Sequence, residues 1–528
     1  MRDFHFPGRS PVLATNGMVA TSHPLAAGEA LQILRDGGNA ADAAIAGAVV
    51  LGVCEPQMTG IGGDCFALIK PAGSDEVVAL NGSGRAPSGL SVNALRDEGV
   101  TKIEPGHPAS ITVPGAVDAL CRLSERFGKA GLERSLAPAI RLFDEGVPVA
   151  PRVAFDLAGP ATELNAAARR HYLKDGQPYA VGETLRLEGQ ADVLRRIAKQ
   201  GRDAFYSGEV ADDMLAALTG IGASHTEADF ANTEATWDSS LAGPYRGHDL
   251  IEHPPNGQGA TALLLTGILS HFEIGAMDPA GVERLHLQAE ATKLAYDARN
   301  RFLADPDHVT RLAHMLAPET ARHLANLIDP NRAMAAPAPL TEDVHKDTVL
   351  ITVVDRDGMA VSLIYSIFAT FGAGVASEKF GILFHNRGSG FNLTPGHANE
   401  AGPGKRPMHT IIPAMRATAG TVDMAFGVMG GQYQAAGHAH VMSNLADFGM
   451  DLQEALDAPR AFADPISGKL RLERSIAGTV RQTLANMGHD TFMPDDPIGG
   501  AQAIFMDRSR GVLVGASDPR KDGCAIGY

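Results

Sequence analysis

The residue types able to carry catalysis are spread unevenly along the chain. Nineteen histidines are scattered without metal-ligand spacing. Four cysteines, Cys54, Cys65, Cys121 and Cys524, form no CxxC, no zinc-type Cys/His cluster and no disulfide framework. The nearest approach to a phosphate loop, GPGKRP at 402–407, lacks the first glycine and follows its lysine with arginine instead of Ser/Thr. No GxGxxG follows a strand, and neither GxSxG nor HExxH occurs. Nucleotide, zinc-protease and serine-hydrolase chemistries are thus poorly supported, and no metal or organic cofactor is expected. Thr348 differs from the other hydroxyl residues in its setting. It opens a β-rich run directly after a Pro/Ala-rich, then charged, segment at 331–347. A threonine hydroxyl becomes a nucleophile only when a base takes its proton. At the start of a strand, threonine is also an ordinary β-former.

The elements that must position such groups are legible in outline. The 528 residues carry 45 Lys+Arg against 61 Asp+Glu, a formal charge of −16. That balance argues against nucleic acid as a partner. At 45% hydrophobic and 20% charged, the chain has enough apolar surface for a large core. Its 59 glycines and 32 prolines imply frequent tight turns. Residues 24–36 read as a helix stopped by Gly37-Gly38. Asn39 N-caps a second helix, AADAAIAGAVVLGV, apolar nearly all round. This stretch is too short to span a bilayer, and the N-terminus lacks a signal-peptide pattern, so a cytoplasmic enzyme with no membrane partner is expected. The glycine-rich turn TGIGGDCF leads into a strand, FALIK. Leu287, Ala291, Leu294, Ala295, Ala298 and Phe302 share one face of a helix from about Val282 to Leu303. TVLITVVD-RDG-MAVSLIYSIF reads as a hairpin, and AQAIFMD with VLVGAS reads as another near the C-terminus. Mixed helices and strands indicate layered α/β or α+β packing.

Blocks along nearly the whole chain resemble the gamma-glutamyltransferase family of N-terminal nucleophile hydrolases. They are GMVATSHPLAAGEALQILRDGGNAADAAIA, TGIGGDCFALIK, HPPNGQGATALLL, LQAEATKLAYDARNRFLADPD, DTVLITVVDRDGMAVSLIYSIFATFGAGV, GPGKRPMHTIIPAM, GVMGGQ and VLVGASDPRKDG, in that order. The resemblance implies a four-layer αββα sandwich and a single self-cleavage between Asp347 and Thr348. The products would be a large chain, 1–347, and a small chain, 348–528, held together as a heterodimer within one fold. It also implies that Thr348 is the nucleophile, Ser366 its supporting hydroxyl, and Gly430-Gly431 the oxyanion hole. The chemistry is coherent. A new N-terminal amine has an unperturbed pKa of about 7.7–8.0 and can accept the Oγ proton.

The departures from gamma-glutamyl recognition concern the substrate. Phe368 stands where the family has a substrate-binding asparagine. Arg387 and Gly390 replace a glutamine and an ammonium-binding aspartate, and His409 and Thr410 replace paired serines. The carboxylate-clamping arginine falls at Ser83, with Arg85 two residues later. An amide bearing a carboxylate, with no need of an α-ammonium, follows as the expected small-molecule partner. NRGSGF together with KRPMHTIIPA is similar to the branch holding oxamate amidohydrolase and cephalosporin-acylase-like members. True gamma-glutamyl transfer or glutathione hydrolysis, and an unprocessed non-catalytic role, stay open as alternatives.

Overall fold

Two seven-stranded antiparallel sheets stack face to face. The structure is a computed structural model and describes residues 4–5, 8–158, 163–334 and 348–528. Asp347 and residues 335–346 of the expected linker lie outside the described residues. The first sheet runs in the order Cys524–Gly527, Met18–Thr21, Val349–Val354, Ala360–Ser366, Asp64–Lys70, Val78–Gly82, Thr236–Ser239. The second runs Val12–Ala14, Val512–Ser517, Gly500–Asp507, Thr421–Met429, Pro413–Thr418, His248–Glu252, Leu241–Tyr245. Met18, Ala20, Leu68, Ile251, Met415, Ala425 and Ile504 fill the space between them. Helices Pro24–Arg35, Ala40–Cys54, Ala116–Phe127 and Leu132–Glu145 cover the outer face of the first sheet. Helices Gly259–Leu269, Val282–Phe302 and Gln434–Ala446 cover the second. This is the expected αββα order. Each sheet takes strands from both sides of position 348, so the two segments form one fold.

The elements around Thr348 form for local reasons. The Val349–Val354 and Ala360–Ser366 strands pair from Val349↔Tyr365 to Val354↔Ala360. Asp355 closes the hairpin by accepting the Asp357 and Met359 N–H groups, each at 3.0 Å on Oδ1. Its Oδ2 accepts the Ala40 N–H at 3.0 Å, which ties the hairpin to the start of the buried helix. Asn39 caps that helix as expected, with Asp42 completing a capping box. All fifteen residues of Ala40–Cys54 are buried. The helix has no polar face because other helices and the first sheet enclose it. The second expected hairpin is present as Gly500–Asp507 and Val512–Ser517. All four cysteines are free thiols. Among the described residues, no helix is long and apolar enough to cross a membrane.

Candidate active site

Three adjacent strands deliver one row of polar side chains. The hairpin register extended by one residue sets Thr348 opposite Ser366. Ser366 in turn pairs with Asp64 at the start of the next strand. Side chains alternate across a sheet, and Leu350, Ile364 and Phe66, each two positions further along, pack against Ile411 and Met429 of the facing layer. Thr348, Ser366 and Asp64 therefore share the inner face. Gly63 permits this, because a Cβ there would lie 2.4 Å from the Ser366 carbonyl oxygen.

Thr348 Oγ1 lies 3.3 Å from Ser366 Oγ, and both residues are buried. Ser366 Oγ also accepts the Phe368 N–H at 2.9 Å and faces Arg387 Nη2 at 3.4 Å. Arg387 Nη1 donates to Thr410 Oγ1 at 3.1 Å. The guanidinium stacks on Phe368, with its Cζ 3.9 Å from the ring centroid. The structure thus gathers Thr348, Ser366, Phe368, Arg387 and Thr410 into one group. His409 joins it indirectly, through Asp64.

Asp64 is the residue that sequence reasoning passed over. Its Oδ2 receives His409 Nε2 at 2.9 Å, with His385 Nδ1 at 3.3 Å and Arg387 Nε at 3.7 Å. Its Oδ1 accepts the Gly84 N–H at 3.0 Å. Burial pushes the Asp64 carboxyl up, but His385, His409 and Arg387 overcome this and bring it down to about 2. Burial pulls His409 down to about 3 and also lowers His385. The guanidinium, drawn down by burial to about 9 and held up by Asp64, stays charged at neutral pH. At pH 7 the cluster is therefore one carboxylate, one guanidinium and two neutral imidazoles. The His409 tautomer follows from its bonds: Nε2–H donates to Asp64, and Nδ1 accepts the Ile411 N–H at 3.3 Å. The strand Asp64–Lys70 thus brings a buried acid beside Arg387, with its oxygens already occupied. An aspartate opening a strand after Gly62-Gly63 and leading into the apolar run Cys65–Ile69 was the available signal.

Gly430 and Gly431 adopt φ of +117° and +56° and start the turn that leads into helix Gln434–Ala446. A side chain at Gly430 would meet Gly499 Cα at 2.8 Å. Gln258 Nε2 donates to both the Thr410 carbonyl, at 2.7 Å, and the Gly431 carbonyl, at 3.2 Å. One amide thus ties the arginine's partner segment to the glycine turn. Met429, just before the turn, packs on Leu350 and Ile364. Arg85 departs from expectation. Its side chain is 43% exposed, and its guanidinium goes to Asp305 at 3.4 Å and the Gly404 carbonyl at 2.9 Å. Ser83, at the position expected to align with the carboxylate-clamping arginine, accepts Asn256 Nδ2 on its Oγ at 3.1 Å.

Elsewhere among the described residues, His286, Glu290 and His489 bring potential metal-ligand atoms within 4.8 Å of one another. Glu290 is bonded there to Lys293 Nζ at 2.7 Å and to the Met334 N–H at 2.8 Å, and His286 Nδ1 and His489 Nε2 are bonded to each other at 2.8 Å.

Residues 26–528 match the family model described as Gamma-glutamyltranspeptidase. The chain is 34% identical over 532 residues to the oxamate amidohydrolase proenzyme of Klebsiella pneumoniae, covering 98% of this chain and 99% of that one. It is 33% identical over 529 residues to the glutathione hydrolase-like YwrD proenzyme of Bacillus subtilis, covering 98% and 99%. The crystal structure of cephalosporin acylase from Bacillus halodurans superposes with a TM-score of 0.91 at 36% identity, covering 100% of this chain and 99% of that one. The stacked sheets, the hydroxyl pair on the inner face and these full-length matches lead to one statement: the chain belongs to the gamma-glutamyltranspeptidase family.

Proposed function

We propose that this chain is a self-processing amidohydrolase that cuts itself before Thr348 and hydrolyses a short, carboxylate-bearing amide of the oxamate type. One observation carries the reading. Ser366 Oγ stands between Thr348 Oγ1 at 3.3 Å and Arg387 Nη2 at 3.4 Å. A carboxylate held by that guanidinium lies within a few bonds of a carbonyl attacked by Thr348. The proenzyme relatives named for oxamate and glutathione hydrolysis agree with self-processing.

The mechanism follows from the chain's own groups. The amine freed at Thr348 takes the Oγ1 proton, directly or through water, and Oγ1 attacks the amide carbonyl. Backbone N–H groups at Gly430-Gly431 face the developing oxyanion; one such donor is worth about 10²–10³ in rate. The protonated amine returns its proton to the departing nitrogen, which leaves as ammonia or an amine. Water then attacks the acyl-enzyme ester, giving the acid and restoring Thr348. Arg387, a planar fork, holds the substrate carboxylate. A gamma-glutamyl substrate would need an acceptor for its ammonium. The oxygens of Asp64 are already engaged by His409 and the Gly84 N–H.

Intact mass under denaturing conditions, together with ammonia release from oxamate, tests this. Wild-type protein is expected as chains of 347 and 181 residues from the 528, with activity. Thr348→Ala is expected as one inactive chain. Hydrolysis by Thr348→Ala, or an uncut and inactive wild type, overturns the proposal.

A further inference from the structure

The loop after Ser366 holds two bulky residues in a backbone conformation they disfavour. Phe368 has φ +79° and Phe371 φ +60°. The surroundings over-determine this path. The Ile367 N–H donates to the Met58 carbonyl at 3.1 Å, and the Ala369 N–H to Asn386 Oδ1 at 3.1 Å. The Phe371 N–H donates to the Gln57 carbonyl at 2.9 Å. Left-handed backbone at a non-glycine residue persists at sites where it serves a purpose. Here it accompanies the Phe368 ring packed against the Arg387 guanidinium, with both side chains buried. The ring face is taken by the guanidinium, so it is not a wall offered to a large apolar acyl group. Asp64 stands on the Nε side, and the hydroxyls of Ser366 and Thr410 take the two Nη groups. An arginine side chain is long and flexible. The stacked ring prevents it from swinging away from the nucleophile pair.

We propose that Phe368 is the specificity-determining residue for acyl length, and that it restricts the enzyme to amides whose carboxylate is bonded directly to the scissile carbonyl. The inference rests on the carboxylate-amide reading above. By pinning the guanidinium beside Ser366, the ring admits the two-carbon acid amide and refuses longer diacid monoamides, whose carboxylate would require the fork to retreat. Removing the ring frees Arg387 to meet longer chains and loosens its hold on short ones.

The test is kcat/KM for ammonia release from oxamate, succinamate and glutaramate with wild type, Phe368→Ala and Phe368→Leu, the last keeping apolar bulk without the cation–π face. Wild type is expected to favour oxamate over glutaramate by about 100-fold or more, a range a tailored pocket reaches over several methylenes. Both variants are expected to bring that ratio below about tenfold, with a raised KM for oxamate and a gain on glutaramate. Mass spectrometry of the two chains reports folding through self-cleavage. Mature variants that keep the wild-type ratio overturn the assignment. If neither variant matures, product inhibition of the wild type decides: oxalate binding more tightly than glutarate supports the gate, and equal binding overturns it. A wild type inactive on all three amides removes the underlying reading. Activity with an unchanged ratio in the variants removes only the role of Phe368.

Discussion

Asp64 is held by His409, Arg387 and one backbone N–H. Burying a carboxylate or a guanidinium alone is costly, so each makes the other's burial tolerable. The two imidazoles stay neutral because burial disfavours their charged form, with the positive charge of Arg387 adding to it. The fork is therefore the one positive group of this cluster at neutral pH. Arg387→Gln is expected to raise KM for oxamate by about tenfold or more, the usual scale for losing a charge-assisted pair. Oxamide, its neutral counterpart, should change by less than about threefold in kcat/KM. Equal losses on the two substrates would take Arg387 out of carboxylate recognition. The residue types at 348, 366, 387, 409 and 410 were readable from the chain. The paired state of Arg387 was not, because its counter-ion comes from a strand distant in sequence.

Between strands, small residues decide whether the row of Thr348, Ser366 and Asp64 can form. Gly63 has the Ser366 carbonyl oxygen 2.4 Å from where a Cβ would stand, and that neighbour is backbone with no side chain to yield. Gly63→Ala is expected to displace the end of the Ala360–Ser366 strand. Self-cleavage and amide hydrolysis should each fall by at least about tenfold, in line with the sensitivity of catalysis to small misplacements. Normal processing rates in that variant would mean that the strand end adapts. Gly47 makes a comparable approach from the helix layer, where a Cβ would meet Ile351 Cδ1 at 2.2 Å. That atom ends a flexible side chain, so the same substitution there should be milder and show mainly as a lower thermal midpoint. The Asn39 cap, the Asp-Gly hairpin and the helix from Val282 were legible because neighbours in sequence produce them. The Cys524–Gly527 edge strand was not, since only pairing with Met18–Thr21 makes it a strand.

Over the whole molecule, the two segments divided at 348 are interleaved within both sheets. A cut before Thr348 breaks no strand among the described residues. Stability should instead respond to acid. Burial pulls His409 down to about 3 and His253 to about 4. Their ordinary value is about 6.5, so between that pH and about 4 the unfolded chain binds more protons than the folded one. Their contribution to stability is complete above about pH 6.5 and declines as pH falls. Asp64, held at about 2, adds a further loss below about pH 4, because its carboxylate is stabilised only in the fold. The thermal midpoint of the mature protein should therefore drop steadily from pH 7 to pH 4.5. A midpoint constant across that range would contradict the buried neutral state of these histidines.

The sequence by itself determined the kinds of element, the caps and turns that bound them, the family resemblance, and the identities of Thr348, Ser366, Phe368, Arg387, His409 and Thr410. These depend on side-chain type and on interactions over a few residues, which the linear order preserves. Only the tertiary structure decided that Asp64 lies in register with Ser366, that Arg85 turns to Asp305, and that Phe368 lies against the guanidinium. Strand order, register and the stacking of two sheets set those relations. They come from burying large apolar faces, and no local pattern encodes which distant strand becomes the neighbour.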